Sequence, residues 1–90
     1  MYELIYTGQF RHSLKRCAKR GLDIDALTGV IDILKASGKL PAEFLPHKLQ
    51  GKYKGCWECH IQPDWLLVWK QNDMQLYLVL VDTGTHADLF

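Results

Sequence analysis

No stretch of the 90 residues is apolar for long enough to cross a bilayer. The longest runs, Trp65 to Trp69 and Leu76 to Val81, fall far short of the roughly 20 residues that a spanning helix needs. The opening Met1-Tyr2-Glu3-Leu4-Ile5-Tyr6 lacks the basic stretch and apolar segment of a secretory signal, so the cytosol is the expected location. Cysteine is scarce and odd in number, three in all, which suits reduced thiols better than a disulfide framework. Cys56-Trp57-Glu58-Cys59-His60 makes neither a zinc nor a redox site: strand residues three apart face opposite ways, and a second ligand pair is missing. A carboxylate cluster of the kind that holds Mg²⁺ is also absent, so chemistry is expected to proceed without metal or other cofactor. There is no internal repeat, linker or low-complexity segment. What remains is one domain, whose 48% apolar content is enough for a single core without a staple.

Charge is the first positive signal. The net value of +1 conceals two basic stretches. Residues 1–20 set Arg11, Lys15, Arg16, Lys19 and Arg20 against Glu3 alone, a balance of +4, and residues 47–54 add Lys48, Lys52 and Lys54. The remainder is acidic, −2 over residues 21–46 and −4 over residues 55–90. Basic patches on a nearly neutral chain point to a polyanion met at chosen places.

Alternation in Tyr2–Tyr6 predicts a first strand. Thr7 can cap a helix over Gln9–Arg20, with Phe10, Leu14, Cys17 and Ala18 on its inner face and the basic residues opposite. Asp23 caps a second helix over Ile24–Ser37, its stripe being Leu27, Val30, Ile31 and Leu34, and Gly38 ends it. The two are expected to form an antiparallel hairpin. Lys39–Pro46 is a connector with one helical turn near Ala42–Leu45, followed by a strand over His47–Gln50 and a turn over Gly51–Gly55. Cys56–Gln62 alternates, sending Trp57, Cys59 and Ile61 inward and Glu58, His60 and Gln62 outward. Pro63-Asp64 turns into Trp65–Lys70, a central strand buried on both faces, and Asn72-Asp73 turns into a last strand over Gln75–Val81. Asp82–Thr85 is expected to be a loop. The expected fold is α+β, with the helices on one face of a small, mostly antiparallel sheet and the other face free for chemistry.

Histidines and an acid collect at strand ends and turns: His47, the pair His60 and Asp64 around Pro63, and His86 near the end. Imidazoles titrate near neutrality, so one can accept a proton while another donates one. General acid–base catalysis of this kind is worth about 10²- to 10⁴-fold. A lone histidine is more often structural, and Trp57 and Trp69 read as core.

Taken together, His47, His60, Asp64, Trp65 and the terminal Gly84-Thr85-His86-Ala87-Asp88-Leu89-Phe90 resemble the bacterial YafQ-type toxins of the RelE superfamily. The likeness covers essentially the whole chain. It implies a RelE-like fold and a toxin of a type II toxin–antitoxin module, a metal-independent endoribonuclease that cuts mRNA in the ribosomal A site by attack of a ribose 2′-hydroxyl. By the same resemblance His47, His60, Asp64 and His86 form the catalytic set and Phe90 completes the site. Our role assignment makes His86 the acid, His47 or Asp64 the base, and bonds His60 to Asp64; Lys52, Lys54 and Trp65 are expected to hold phosphate and base. The wider superfamily uses arginine near the scissile phosphate in some members, whereas the middle strands here have none, which predicts a stronger dependence of cleavage on pH. The implied partners are the ribosome, mRNA and a dimeric ribbon-helix-helix antitoxin, with operator DNA reached only through that complex and no membrane. The rival expectation is a RelE-like fold acting by binding alone, as a gyrase inhibitor or an operon corepressor.

Overall fold

The computed structural model describes residues 1–90. Strand β1 (Glu3–Tyr6) leads into helix α1 (Gly8–Lys19), where the Thr7 hydroxyl accepts a hydrogen bond from Phe10 N–H. Helix α2 (Ile24–Ser37) starts at Asp23, whose carboxylate accepts from Asp25 N–H, and stops at Gly38 in a left-handed conformation. Glycine is required there twice over, because a Cβ would also collide with the Tyr2 ring. A single 3-10 turn (Ala42–Phe44) precedes β2, which is only His47–Lys48, shorter than expected. After a second such turn (Gly51–Tyr53) come β3 (Trp57–Gln62), β4 (Trp65–Asn72), β5 (Tyr77–Gly84) and a one-turn helix α3 (His86–Leu89).

The sheet order is β1-β5-β4-β3-β2, antiparallel except where β1 runs parallel to β5. This is the expected α+β arrangement. Helix α1 lies on β5 and α2 on β3, and both deliver side chains to one apolar cluster. Phe10, Cys17, Leu27, Val30, Ile31 and Leu34 meet Cys59, Ile61, Trp65, Leu67, Trp69, Leu78 and Leu80 there. Each such Leu, Ile or Val contributes roughly 1.5–3 kcal/mol. The inner face of α1 is rotated from the expectation: Ser13 is fully buried and accepts a hydrogen bond from the Gln9 side chain, while Ala18 is exposed. Two small residues trade places because the helix seats Phe10 and Cys17 one turn and three turns in, and Ser13 lies on the arc between them.

Two expectations fail at the C-terminal end. Asp82–Thr85 is not a loop, since β5 continues through Gly84 paired to Leu66. Nor is the second sheet face open. Leu66 and Val68 on that face are covered by Leu89 of α3 and by Cys56, with Leu49, Tyr53 and Val81 around them. An apolar strand such as β4 needs cover on both sides, and α3 with the Gly51–Lys54 segment supplies the second one. The cysteines are all free and buried, Cys56 and Cys59 on opposite sheet faces as the alternation requires.

Candidate active site

Three features of the backbone bring the histidines together. The β2–β3 pairing sets His47 directly across from Glu58. Alternation along β3 then places His60 on the same face, two residues on. Between His60 and Gln62 the register with β4 shifts by one residue, and such a bulge re-aims the side chains beside it. Finally, the continuation of β5 delivers His86 at the first position of α3, capped by Thr85. The ring centres of His47 and His60 lie 6.5 Å apart and those of His60 and His86 5.7 Å apart, so the three expected imidazoles are neighbours, with His60 between the other two. A groove of about 750 Å³ lined by Glu43, Phe44, Leu45, His60, Ile61, Gln62 and Pro63 opens beside them.

The hydrogen bonds distinguish the three rings. His47 Nδ1 lies 2.8 Å from the Leu45 carbonyl, to which it donates, and Nε2 lies 3.1 Å from Glu58 Oε1, so both of its nitrogens are engaged. His60 Nδ1 faces the Pro63 carbonyl at 3.3 Å. A carbonyl only accepts, so Nδ1 carries the proton and the neutral ring presents its Nε2 lone pair to the cleft. His86 Nδ1 sits 2.6 Å from Asp64 Oδ1, which also accepts from His86 N–H at 3.0 Å. Those two bonds, backbone first and then imidazole, hold the Asp64 carboxyl below the usual carboxylate range.

The expected pairing of His60 with Asp64 is therefore replaced by His86 with Asp64. The Pro63-Asp64 turn aims the carboxylate across at the start of α3 and leaves only the Pro63 carbonyl for His60. Asp64 Oδ1 is thus committed to His86, and both ring nitrogens of His47 are engaged, whereas His60 leaves Nε2 free. Trp65 is corrected outright. It is 1% exposed and donates its indole N–H to Thr83 Oγ1 at 2.9 Å, so it packs the core and has no face to offer a base. Phe90 is 62% exposed and meets Tyr53 edge-on at 5.6 Å, where it is available for stacking. Lys52 is exposed with its ammonium over the Tyr53 ring at 5.1 Å, and Lys54 is exposed nearby.

Glu58 is the site residue that sequence reasoning passed over. It is 4% exposed, and its second oxygen, Oε2, has no partner at all. The signal was present: Glu58 shares a strand face with His60 and precedes it by two residues. A buried carboxylate with one unpartnered oxygen is uncommon in a folded domain and makes Glu58 a candidate member of the site.

Fold and cleft together define a small α+β domain that presents an acid–base cluster of imidazoles and carboxylates at one sheet end. Comparison with known proteins places it more closely. Residues 2–90 match the family described as bacterial toxin of type II toxin-antitoxin system, YafQ. The chain is 37% identical over 89 residues to the mRNA interferase toxin YafQ of Escherichia coli K12, covering 98% of this chain and 95% of that one. It superposes on the crystal structure of YafQ from E. coli BL21(DE3) with a TM-score of 0.91 at 35% identity, covering 100% and 99% of the two chains. With YafQ in the E. coli DinJ–YafQ complex the TM-score is 0.89 at 36% identity, again over 100% and 99%. The chain belongs to the YafQ family of type II toxins.

Proposed function

We propose that this toxin is an endoribonuclease that cuts mRNA in the ribosomal A site, and that a cognate antitoxin holds it inactive. The reading rests on one observation above others: the three neighbouring imidazoles are held by different partners, which gives each a different task. His60 Nε2 takes the proton of the ribose 2′-hydroxyl as that oxygen attacks the adjacent phosphorus. His86, whose Nδ1 is anchored on the Asp64 carboxylate, turns Nε2 to the departing 5′-oxygen and gives it a proton. The O2′–P bond forms and the P–O5′ bond breaks, leaving a 2′,3′-cyclic phosphate and a 5′-hydroxyl. In-line displacement of this sort gains most from orientation and from charge fixed near the phosphorane. Lys52 and Lys54 supply that charge, His47 is held in place by Glu58 and the Leu45 carbonyl, and Phe90 stacks on a base, an interaction worth about 1–3 kcal/mol. The chemistry needs no metal: the proton donor, the acceptor and the cations are all side chains.

A relative crystallised with DinJ supports an antitoxin partner for this chain as well. The basic arc of α1 and the lysines of residues 48–54 are the surfaces available to ribosomal RNA. The test is to add purified protein to a translating extract, with and without ribosomes, and to map the ends of the cut mRNA. Cleavage only on ribosomes, with 5′-hydroxyl ends, and its loss in His86→Gln and His60→Ala, is the expected result. Undiminished growth arrest by both variants would transfer the activity to binding alone.

A further inference from the structure

Helix α3 is four residues long, and a single turn has almost no stability of its own. Something must hold it, because it carries His86 and leads to Phe90. Leu89 anchors it from below, buried against Leu66 and Val68. Asp64 grips it on the cleft side through His86. The third hold lies on the far side, away from the cleft. Asp88 Oδ2 accepts from Arg20 Nη1 at 2.6 Å and Oδ1 from Arg20 Nη2 at 3.1 Å, a two-pronged pair reaching from the C-terminal end of α1. The same carboxylate accepts Thr85 N–H at 2.9 Å while the Thr85 hydroxyl accepts Asp88 N–H at 3.2 Å, so one side chain both caps α3 and ties it to α1. Arg16 stands by at 3.7 Å, its Nε buried without a partner.

The pair is close, with the Asp88 side chain 12% exposed and the Arg20 side chain, on the solvent side, 44% exposed. The Arg20 guanidinium, together with Thr85, holds the Asp88 carboxyl far below the ordinary carboxylate range. Gly84, the residue before the cap, leaves the room, since a Cβ there would stand 2.8 Å from Asp88 Oδ2 and 3.2 Å from Arg16 Nη2. Arg20 is thus not simply part of the basic arc facing solvent, although it adjoins the groove formed with Lys15 and Lys19.

We infer that Arg20 and Asp88 are positioning residues for the cleavage step, a latch from α1 to α3 that fixes where His86 presents its imidazole. The inference rests on the role given to His86 above. A bidentate guanidinium–carboxylate pair fixes distance and angle together, which a diffuse basic surface does not. Releasing it leaves α3 held by Leu89, by Asp64 and by the looser contacts of Arg16 with Asp88 and of Phe90 with Tyr53, so that the turn can rock about its buried leucine and His86 moves with it. Misplacement of a reacting group by about 1 Å can cost on the order of 10²-fold in rate.

The experiment compares Arg20→Gln, Asp88→Asn and their double variant with the parent and with His86→Gln. Single-turnover cleavage is measured on programmed ribosomes at saturation, alongside ribosome affinity, melting temperature and the imidazole NMR signals of His86. Asp88→Asn is the decisive member, because it removes an acid from a surface that meets RNA. A merely electrostatic role predicts unchanged or tighter ribosome binding with an undiminished rate. The latch predicts a rate at saturation lower by about 10- to 100-fold, with affinity retained and the His86 Nδ1–H signal shifted from its position on Asp64. Arg20→Gln leaves the Thr85–Asp88 cap intact, so it reports on the latch even if Asp88→Asn folds poorly. The double variant should be no slower than the slower single one, since both lose the same bond. An Asp88→Asn or Arg20→Gln protein that cleaves at the parental rate while His86→Gln is inactive overturns the inference. Should His86→Gln itself cleave normally, the role of His86 fails instead, and the NMR signal decides the latch: an unshifted imidazole in both variants refutes it.

Discussion

Replacing Trp65 by phenylalanine separates a core residue from a base-stacking one. The substitution keeps an aromatic face, so a stacking platform would survive it largely intact, whereas the buried indole has two things to lose. Its N–H donates to Thr83 Oγ1, which in turn donates to the Leu66 carbonyl. Without the indole, Thr83 keeps its donation and loses its incoming bond, at a cost of about 1–2 kcal/mol. The smaller ring also abandons two or three carbon positions in a fully packed site, each worth roughly 0.8 kcal/mol. The sum, about 3 kcal/mol, is a large share of the 5–15 kcal/mol that holds an ordinary domain together. For a domain of this size it lowers the melting temperature by roughly 15 °C. Circular dichroism melts measure that shift, and cleavage at a temperature where both proteins are folded measures the site. The expected outcome is a much less stable protein that cuts mRNA at close to the parental rate. An unchanged melting temperature, or a collapse of cleavage in the folded variant, would refute the assignment of Trp65 to the core.

Other outcomes follow from the same geometry. Glu58→Gln should slow cleavage by at least about 10-fold while leaving stability unchanged or raised, because a buried carboxylate costs the fold what it lends the site; urea melts and cleavage rates on one preparation check both. Asp64, Asp73 and Asp88 all have carboxyl groups held below their ordinary range, by His86, by Tyr2 and by Arg20 respectively. A depressed folded pKa stabilises above the unfolded value near 4 and ceases to do so as pH falls through the folded value. The urea midpoint of the parent should therefore drop below pH 4, and the margin by which the parent exceeds Asp88→Asn at pH 7 should shrink steadily as the pH is lowered below 4. Burial pushes the Cys59 thiol up to about 12. At pH 8 the native protein should leave Cys59 unmodified by a thiol reagent over hours and expose it only on unfolding, which mass spectrometry after limited alkylation will show.

Much of this molecule was written in local sequence. The α2 cap at Asp23 and stop at Gly38, the two-faced burial of β4 and the alternation that turns His60 away from the core all depend on near neighbours and on a periodicity of 3.6 or 2. The one-turn helix at the end went unread: its only local signal is the Thr85-His86-Ala87-Asp88 capping pattern, and four residues are too few for periodicity to announce. Pairings between distant segments were a different matter. His60 and Asp64 are four residues apart and His86 is twenty-two from Asp64, and proximity in the chain favoured the wrong partner. The bulge in β3 and the extension of β5 to Gly84 reversed that preference. Trp65 likewise follows the site aspartate directly, yet the strand beginning there turns its ring inward, since neighbours on a strand face opposite ways.

Residue types and their spacing determined by themselves that this chain builds a helix-backed sheet carrying imidazoles at one end, because burial and backbone geometry act over a few residues. Which carboxylate holds which histidine, which aromatic stays outside, and how α1 grips the last turn were settled only when strands met in register. A hydrogen bond is decided within a few tenths of an ångström, a precision that belongs to the assembled tertiary structure.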